Sequence, residues 1–357
     1  MISKRIGVVE SIITNSEDID EIKVKIGERV DKAINYPKIT GSVNVGDEVL
    51  LNTSAIELNL GTGGSHFVIA NLNNLESNMT DGGHIMKLRY TPLQVKTFAA
   101  EEQESIHHNK INNFKSLNNL PVAVGTLHSM LSPFVAVAKR LDPSKKIAYI
   151  MTDGAALPIY LSKNVKELKD KKLIDATITI GNAFGGDYEC VNIYTALIVA
   201  KEVIKADIVF VSMGPGIVGT GTKYGFSGIE QGYILDAVVS LGGKAIAIPR
   251  ISFADKRDRH IGISHHSITV LKDIVKSRVT IPINVQDEYK KKRIISQIED
   301  SNIHCLHDVT FVQNDITKDS LDYFDLKVKS MGRGYHEDEE FFKSSGGAAT
   351  YILEGLI

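Results

Sequence analysis

Tryptophan is absent from this chain of 357 residues, and cysteine occurs only twice, as Cys190 and Cys305. Two thiols cannot build a disulfide framework or a four-thiolate zinc site, and so few cysteines fit a reducing compartment. No apolar run reaches the roughly 18 residues of a membrane span, because the nearest, residues 194–211, is interrupted by charged side chains. The basic N-terminus is broken by Glu10, which is not typical of a signal peptide. We therefore expect a cytoplasmic protein with no membrane partner.

The chain also lacks an excess of charge of either sign. It has 41 Lys and Arg against 43 Asp and Glu, so its formal net charge is −2. This balance argues against a protein that binds nucleic acid over its whole surface, although it permits a local basic site. A hydrophobic content of 43% with 24% charged residues indicates a folded globular protein rather than a disordered chain or a coiled coil. The length predicts two domains.

Residues 1–75 have the pattern of a small β-barrel domain. Short segments rich in β-branched residues are separated by Gly, Asn, Asp or Pro, and no helical period occurs. A closed or partly closed barrel hides the edges of such strands. A long glycine-containing connection occupies residues 53–64. We predict strands at 5–13, 20–27, 29–36, 47–52 and 65–70.

Residues 76–120 are predicted to form a linker with an extra strand near 84–90 and a short helix. From residue 121 to residue 357, short apolar segments alternate with helical ones, which indicates parallel strands covered on both faces. The predicted fold class is therefore α/β, with a doubly wound, mostly parallel sheet preceded by the small N-terminal barrel. Its strands are predicted at 121–125, 146–152, 175–180, 206–213, 244–249 and 278–283, with further strands near 303–313 and 322–330.

Three local patterns carry predictions about charged residues. Ser227 and Glu230 fit a capping box at the start of a helix over 228–241. Asp187 is placed either as the N-cap of a helix over 190–205 or as a catalytic carboxylate. The acidic run at 336–340 predicts a solvated face.

The connections that follow the strands are long, and in a parallel sheet they all lie at the carboxyl edge, where such sheets bind ligands. The loop after strand 206–213 predicts a ligand-binding segment, because its glycines let backbone amides approach an anion. The pattern G-x-G-x-x-G is present, but no helix opens within it, and Arg250 stands where a dinucleotide site needs an acidic residue. The alternative is a flexible surface turn. The predicted ligand-binding residues of this loop are Gly214, Gly216, Gly219, Gly221 and Thr222.

The next loop, residues 250–266, concentrates arginine and histidine. Arg250, Arg257 and Arg259 are three of only ten arginines, and their forked geometry suits phosphate or carboxylate. His260 and His265 are predicted catalytic residues. Since His265 and His266 are adjacent, we expect their rings to diverge by about 100° on a helix, which disfavours a shared metal. The alternative is a solvated loop in which Ser264 caps the next helix.

Three further residues complete the predicted catalytic set: His128, Asp153 and the Asp187 already named. His128 follows the first strand of the sheet, and Asp153 ends the second, where a carboxylate can hold a metal, a ribose or a proton. A plain Asp-Gly turn is the alternative for Asp153. Carboxylates and imidazoles together suit a divalent metal, but no spacing signature demands one. The cofactor is thus unknown, with a divalent metal left open.

Several segments together resemble an uncharacterised bacterial family, catalogued as a domain of unknown function. The resemblance extends over nearly the whole chain. It implies a bacterial cytosolic protein whose barrel and α/β parts belong together, and it implies no reaction, cofactor or catalytic residue. The segments are GDEVLLNTSAIELNLGTGGSHFV (46–68), TDGAALP (152–158), GNAFGGDYE (181–189), MGPGIVGTGTKYGFSG (213–228) and RISFADKRDRHIGISHHS (250–267).

These observations favour an enzyme, a hydrolase or group transferase, that acts on a small phosphate-bearing or otherwise anionic metabolite or nucleotide. A non-catalytic ligand sensor or protein-interaction module is the alternative. Binding of RNA through the barrel is disfavoured, because Tyr36 and Phe67 are the only aromatic residues in residues 1–70. The expected partner is a small anionic ligand rather than nucleic acid, and formation of a homo-oligomer stays open.

Overall fold

The computed structural model describes residues 1–58 and 64–355. The part of the predicted 53–64 connection that comprises residues 59–63 lies outside the described residues. Two compact units are present, residues 1–96 and residues 97–357. No helix in the described ranges is both long enough and apolar enough to cross a membrane.

The first unit contains the predicted barrel. Its strands are β1 (Lys4–Thr14), β2 (Asp20–Ile26), β3 (Arg29–Asn35), β4 (Glu48–Asn52) and β5 (Ser65–Asn71), with a separate pair formed by β6 (Ile85–Lys87) and β7 (Val95–Thr97). The five strands close in the order β1-β2-β3-β5-β4, and β4 pairs with β1. All neighbours are antiparallel except β3 and β5. The interior is filled by aliphatic side chains such as Val9, Ile22 and Leu51, which alternate with outward residues as half-buried strands require.

The second unit is built on the predicted parallel sheet, which has eight strands. They are β8 (Pro121–Val124), β9 (Ile147–Thr152), β10 (Ala176–Thr179), β11 (Tyr188–Glu189), β12 (Ile208–Met213), β13 (Lys244–Ala247), β16 (Thr280–Ile283) and β17 (Asp308–Phe311). Two short ribbons lie outside it, β14 (Ile251–Ser252) with β15 (Gly262–Ile263) and β18 (Lys329–Ser330) with β19 (Arg333–Gly334). Every neighbouring pair in the sheet is parallel.

Helices cover both faces of this sheet. Alternate residues of β8 face opposite layers: Val122 and Val124 pack with one hydrophobic cluster, and Ala123 packs with the other. The first layer comprises α6 (Ile193–Ile198), α7 (Glu230–Ser240), α8 (His265–Thr269) and α9 (Glu288–Ser301). The second comprises α4 (Leu131–Leu141), α5 (Lys163–Asp170), α11 (Thr317–Tyr323) and α12 (Glu339–Glu354). The short helices are α1 (Pro37–Thr40), α2 (Ser54–Glu57), α3 (His108–Asn112) and α10 (Ile303–Leu306).

The strand order places a crevice at the centre of the sheet. The order is β11-β10-β9-β12-β8-β13-β16-β17. After β8 the chain forms β9, β10 and β11 on one side and then returns to place β12 next to β8. It then forms β13, β16 and β17 on the other side. The loops after β8, β9, β12 and β13 meet where the two directions diverge, at the carboxyl ends of the strands. In doubly wound sheets this position binds ligands, and it agrees with the site predicted from the loop lengths.

Some local predictions are wrong. The run at 336–340 is not a solvated face, because Asp338 and Glu340 are only 3% and 6% exposed. Asp338 accepts hydrogen bonds from Ser252 and Arg333, and Glu340 pairs with Lys290. No strand fills residues 322–330: α11 ends at Tyr323, and only Lys329–Ser330 is extended.

Two of the predicted helix starts are also wrong. The N-cap of α6 is Asn192, which forms a capping box with Thr195, so Asp187 does not cap this helix. Ser227 begins a short 3-10 turn and accepts a hydrogen bond from the amide of Val218 instead of capping α7. Ser264 does cap α8, as predicted.

Candidate functional site

The arginine-rich loop after β13 folds back on itself. Its two ends pair as the ribbon β14–β15, a 3-10 turn at Asp258–His260 lies between them, and Ser264 leads into α8. This folding places Arg250 beside the histidine-bearing part of the loop: its Nη1 lies 2.8 Å from Nδ1 of His260. The structure therefore brings together residues that the sequence separates by ten positions.

Asp255 balances part of the positive charge. It accepts from Arg250 Nη2 at 3.0 Å and from Arg257 Nε at 3.0 Å. The hydrogen bond from Arg257, with that from Arg250, holds the pKa of this buried carboxyl well below its usual range. Arg259 is exposed and has no ion pair within the described ranges. Two of the three guanidinium groups in this loop thus share the carboxylate of Asp255. The three groups and this carboxylate together carry a charge of about +2.

Three histidine rings converge on this loop. The ring centroids of His265 and His266 are 4.0 Å apart, and each lies within 5.3 Å of the His260 ring. The expected divergence of the adjacent pair is therefore wrong. Both residues lie in the first turn of α8, directly after its N-cap, and His266 is held there by stacking on Phe226 with centroids 4.0 Å apart.

Burial and nearby positive charge keep these rings neutral. Burial, followed by the charges of Arg250 and Arg257, lowers the pKa of His260 to about 3. Burial and then the charge of His265 lower the pKa of His266 to about 4, and burial also lowers the pKa of His265. At neutral pH each ring therefore offers one N–H donor and one acceptor nitrogen.

The same trio could be considered as a metal site, since one nitrogen from each ring lies within 4.8 Å of the others. The hydrogen bonding of His260 does not fit that use. Arginine only donates, so Nδ1 of His260 must accept from Arg250, and the ring hydrogen is on Nε2. A metal ligand would need a lone pair on Nε2. The surrounding arginines also repel a cation, so the cluster suits an anion better than a metal.

A small cavity opens beside the arginines and histidines, with a volume of about 140 Å³. Two buried donors near it, Arg250 Nε and His260 Nε2, have no hydrogen-bond partner in the described part of the chain. Such groups are costly to leave unsatisfied and mark a place for a ligand or solvent acceptor. The cavity is lined by Leu127, Ile217, Val218, Gly219, Gly221, Arg250, Arg257, Arg259, His260, His266 and Met331.

The glycine loop contributes only part of its predicted set to this cavity. Residues 219–226 close into a hairpin, in which the Thr220 amide donates to the Gly225 carbonyl at 2.8 Å. Gly219 and Gly221 line the cavity, whereas Thr222 is bonded within the hairpin through its hydroxyl. Gly214 and Gly216 lie at the hairpin base, beside residues 155 and 156. The hairpin is therefore a wall of the cavity, and the amides of Thr220 and Gly225 are hydrogen-bonded within it.

A second polar cluster lies after β9 and was missed from the sequence, apart from Asp153. Glu230, the first residue of α7, is buried and accepts from Thr152 Oγ1 at 2.5 Å and from the Tyr233 hydroxyl at 3.4 Å. Burial, with a smaller contribution from the charge of Asp153, raises the pKa of Glu230 to about 7. Asp153 is exposed and accepts from the Asn182 amide at 2.8 Å. The carboxyl group of Glu230 can therefore exchange a proton near neutral pH.

The remaining predicted catalytic residues occupy structural positions. His128 is buried, and its two ring nitrogens contact the hydroxyls of Tyr149 at 3.1 Å and Ser162 at 2.6 Å; burial lowers its pKa to about 4. Asp187 accepts from Lys169 and from both donors of Thr177. Partial burial acts to raise the pKa of Asp187, but these bonds outweigh it and lower the value. Both placements favour a structural role.

Comparison with known families agrees with the resemblance seen in the sequence. A family described as "Protein of unknown function (DUF3866)" matches residues 32–349. The chain belongs to this family. The match to the DUF3866 protein begins within β3 and includes β4, β5 and both polar clusters, so these parts occur within one family unit. No curated protein matches the chain.

Proposed function

We propose that this DUF3866 protein binds a phosphate-bearing metabolite between Arg250, Arg257, Arg259 and the three histidines. The observation that carries the proposal is that Arg250 and Arg257 share the carboxylate of Asp255, while Arg259 forms no ion pair in the described part of the chain. The buried donors Arg250 Nε and His260 Nε2 lie beside them and have no hydrogen-bond partner among the described residues. A phosphate monoester carries about −1.5 to −2 charges at neutral pH. Its charge therefore matches the local charge of about +2, whereas a carboxylate would neutralise only half of it.

We further propose that the protein acts on this ligand as a hydrolase or group transferase. The support is the proton-exchanging carboxyl of Glu230 beside Asp153, at the same carboxyl edge of the sheet. The base of the glycine hairpin connects the two clusters: the Ala156 amide donates to the Pro215 carbonyl, and Gly219 lies next to His266. A ligand sensor would use the same cavity without turnover.

Binding is tested by isothermal titration calorimetry with inorganic phosphate at low ionic strength. Replacing Arg250 by Met removes hydrogen bonds to a charged group, worth about 1.5–3 kcal/mol each, and should weaken binding about ten- to hundredfold. Arg259→Met removes an exposed charge and should weaken it about two- to fivefold. The matched control is Arg278→Met, since Arg278 forms an exposed pair with Asp308 and is not among the residues that line the cavity.

The result that contradicts the proposal is absence of phosphate binding, or binding that Arg250→Met and Arg259→Met leave unchanged. Turnover is tested separately by following a panel of phosphate monoesters by phosphorus NMR. An enzyme should release product and lose most of its kcat in Glu230→Gln and Asp153→Asn while still binding phosphate. Saturable binding of every ester with no product in any case would assign the sensor function instead.

A further inference from the structure

The side chains that line the cavity belong to two chemical classes. Its polar side chains are Arg250, Arg257, Arg259, His260 and His266, whereas Leu127, Ile217, Val218 and Met331 supply aliphatic surface. Arginine only donates, and His260 presents Nε2–H for the reason given above. No carboxylate or side-chain amide is among the described residues that line it. Of the nearby carboxylates, Asp255 is occupied by two arginines, and Asp338 is occupied by Ser252 and Arg333.

From this distribution we infer that the ligand is a phosphate monoester whose carbon part is apolar, such as an alkyl or acyl-chain phosphate, rather than a sugar phosphate or a nucleotide. This inference rests on the proposed phosphate site. A sugar or a base brings several hydroxyl or amine donors that need acceptors. Among the described side chains that line the cavity, neutral His266 offers the one remaining acceptor nitrogen, so most of these donors would be left unpaired at a cost. An alkyl phosphate has hydrogen-bond acceptors at its phosphate end and has neither donors nor acceptors along its aliphatic chain.

The volume of the cavity indicates where the carbon part of the ligand lies. A volume of about 140 Å³ is close to that of a cavity of about 150 Å³ that holds one benzene molecule, so it takes a phosphate group with room for little more. The rest of the carbon part then lies at the rim. Val218, at the start of the hairpin, is 66% exposed, and Met331, in the turn of the β18–β19 ribbon, is 53% exposed. The Met331 sulfur lies 3.6 Å from Arg250 Nη2, so the aliphatic rim adjoins the phosphate-binding guanidinium directly.

The test compares two ligands with the same three-carbon skeleton, propyl phosphate and glycerol 3-phosphate, with inorganic phosphate as the reference. Complete burial of a methylene gives about a fourfold gain in affinity. At a half-exposed rim we expect about twofold per carbon, so propyl phosphate should bind about eightfold more tightly than inorganic phosphate. Glycerol 3-phosphate should bind no more tightly than inorganic phosphate. All three dissociation constants are measured by calorimetry on the full chain.

Variants at the rim separate the two parts of the ligand. Val218→Thr keeps the shape of the side chain but makes it polar, and Met331→Ala shortens the aliphatic wall. Both should reduce the gain in affinity of propyl phosphate over inorganic phosphate to about twofold, with both ligands measured on the same variant. The matched control is Val30→Thr, because Val30 is an exposed valine on β3 of the barrel; it should keep the full gain.

The outcomes distinguish this inference from the function on which it rests. If inorganic phosphate binds but propyl phosphate binds no more tightly, or glycerol 3-phosphate binds equally well or better than propyl phosphate, the apolar ligand class is wrong and the phosphate site stands. A propyl gain that survives both rim variants would also overturn the inference. If inorganic phosphate itself does not bind, the proposed function fails, and the ligand class fails with it.

Discussion

Replacing Glu230 by Gln should stabilise the protein in a way that depends on pH. Burial, aided by Asp153, raises the pKa of this carboxyl from 4.5 to about 7. The folded state therefore binds the proton more tightly than the unfolded state between these values, and its stability falls as pH rises through that window. A shift of this size corresponds to about 3 kcal/mol. Gln cannot ionise but can still accept the Thr152 hydrogen bond, so this penalty disappears in the variant.

The difference in unfolding free energy between Glu230→Gln and the original chain should thus grow by about 3 kcal/mol between pH 4 and pH 8. Using the growth with pH removes any constant offset from the substitution. The assay is urea unfolding followed by circular dichroism and tyrosine fluorescence, since the chain has no tryptophan. Asp153→Asn should narrow the pH range over which stability falls, because removing the neighbouring negative charge makes the pKa of Glu230 less raised. A difference that stays constant to within about 0.5 kcal/mol from pH 4 to pH 8 would refute the reasoning.

Three further predictions concern stability and metal binding. His128→Ala removes one hydrogen-bond partner from each of the Tyr149 and Ser162 hydroxyls, so it should cost about 1–3 kcal/mol in urea unfolding. Phosphate affinity should be unchanged in calorimetry, and a weaker affinity would return His128 to the site. Gly347→Ala should cost about 1–3 kcal/mol, because a Cβ in α12 would overlap the Asn284 side chain, and a melting temperature equal to the original would contradict this packing. Addition of zinc or EDTA should leave the melting temperature unchanged. A saturable rise of the melting temperature with zinc that is lost in His265→Ala would show that the histidines bind metal.

The architecture was predictable from the sequence because both of its patterns are local. The five barrel strands and the six central strands of the sheet follow from short β-branched segments and from their alternation with helices. Observed strand ends differ from the predicted ones by one or two residues at most for these elements. The position of the site at the carboxyl edge followed from loop lengths alone. The C-terminal region was predicted poorly, since α12 pairs small residues such as Gly346 and Gly347 with neighbours distant in the chain.

The candidate site was predictable in part. The arginines of the 250–266 loop were found from their density, because few other arginines occur. The convergence of His265 and His266 on His260 was missed, since helical periodicity does not describe the first turn of a helix that begins in a folded loop. Glu230 was missed because its raised pKa comes from burial in the folded chain. Its partner Thr152, whose hydrogen bond acts to lower that pKa, lies 78 positions earlier in the chain. No local pattern carries that information.

The most direct test of the account is nitrogen NMR of the histidine rings during a phosphate titration at pH 7. Each ring is assigned through a His→Gln variant. We predict that His260 is neutral with its hydrogen on Nε2, and that its Nε2 resonance moves with the dissociation constant measured by calorimetry, while the resonances of buried His128 stay in place. If phosphate binds but the His260, His265 and His266 resonances do not move, the anion is held elsewhere and the central claim is wrong.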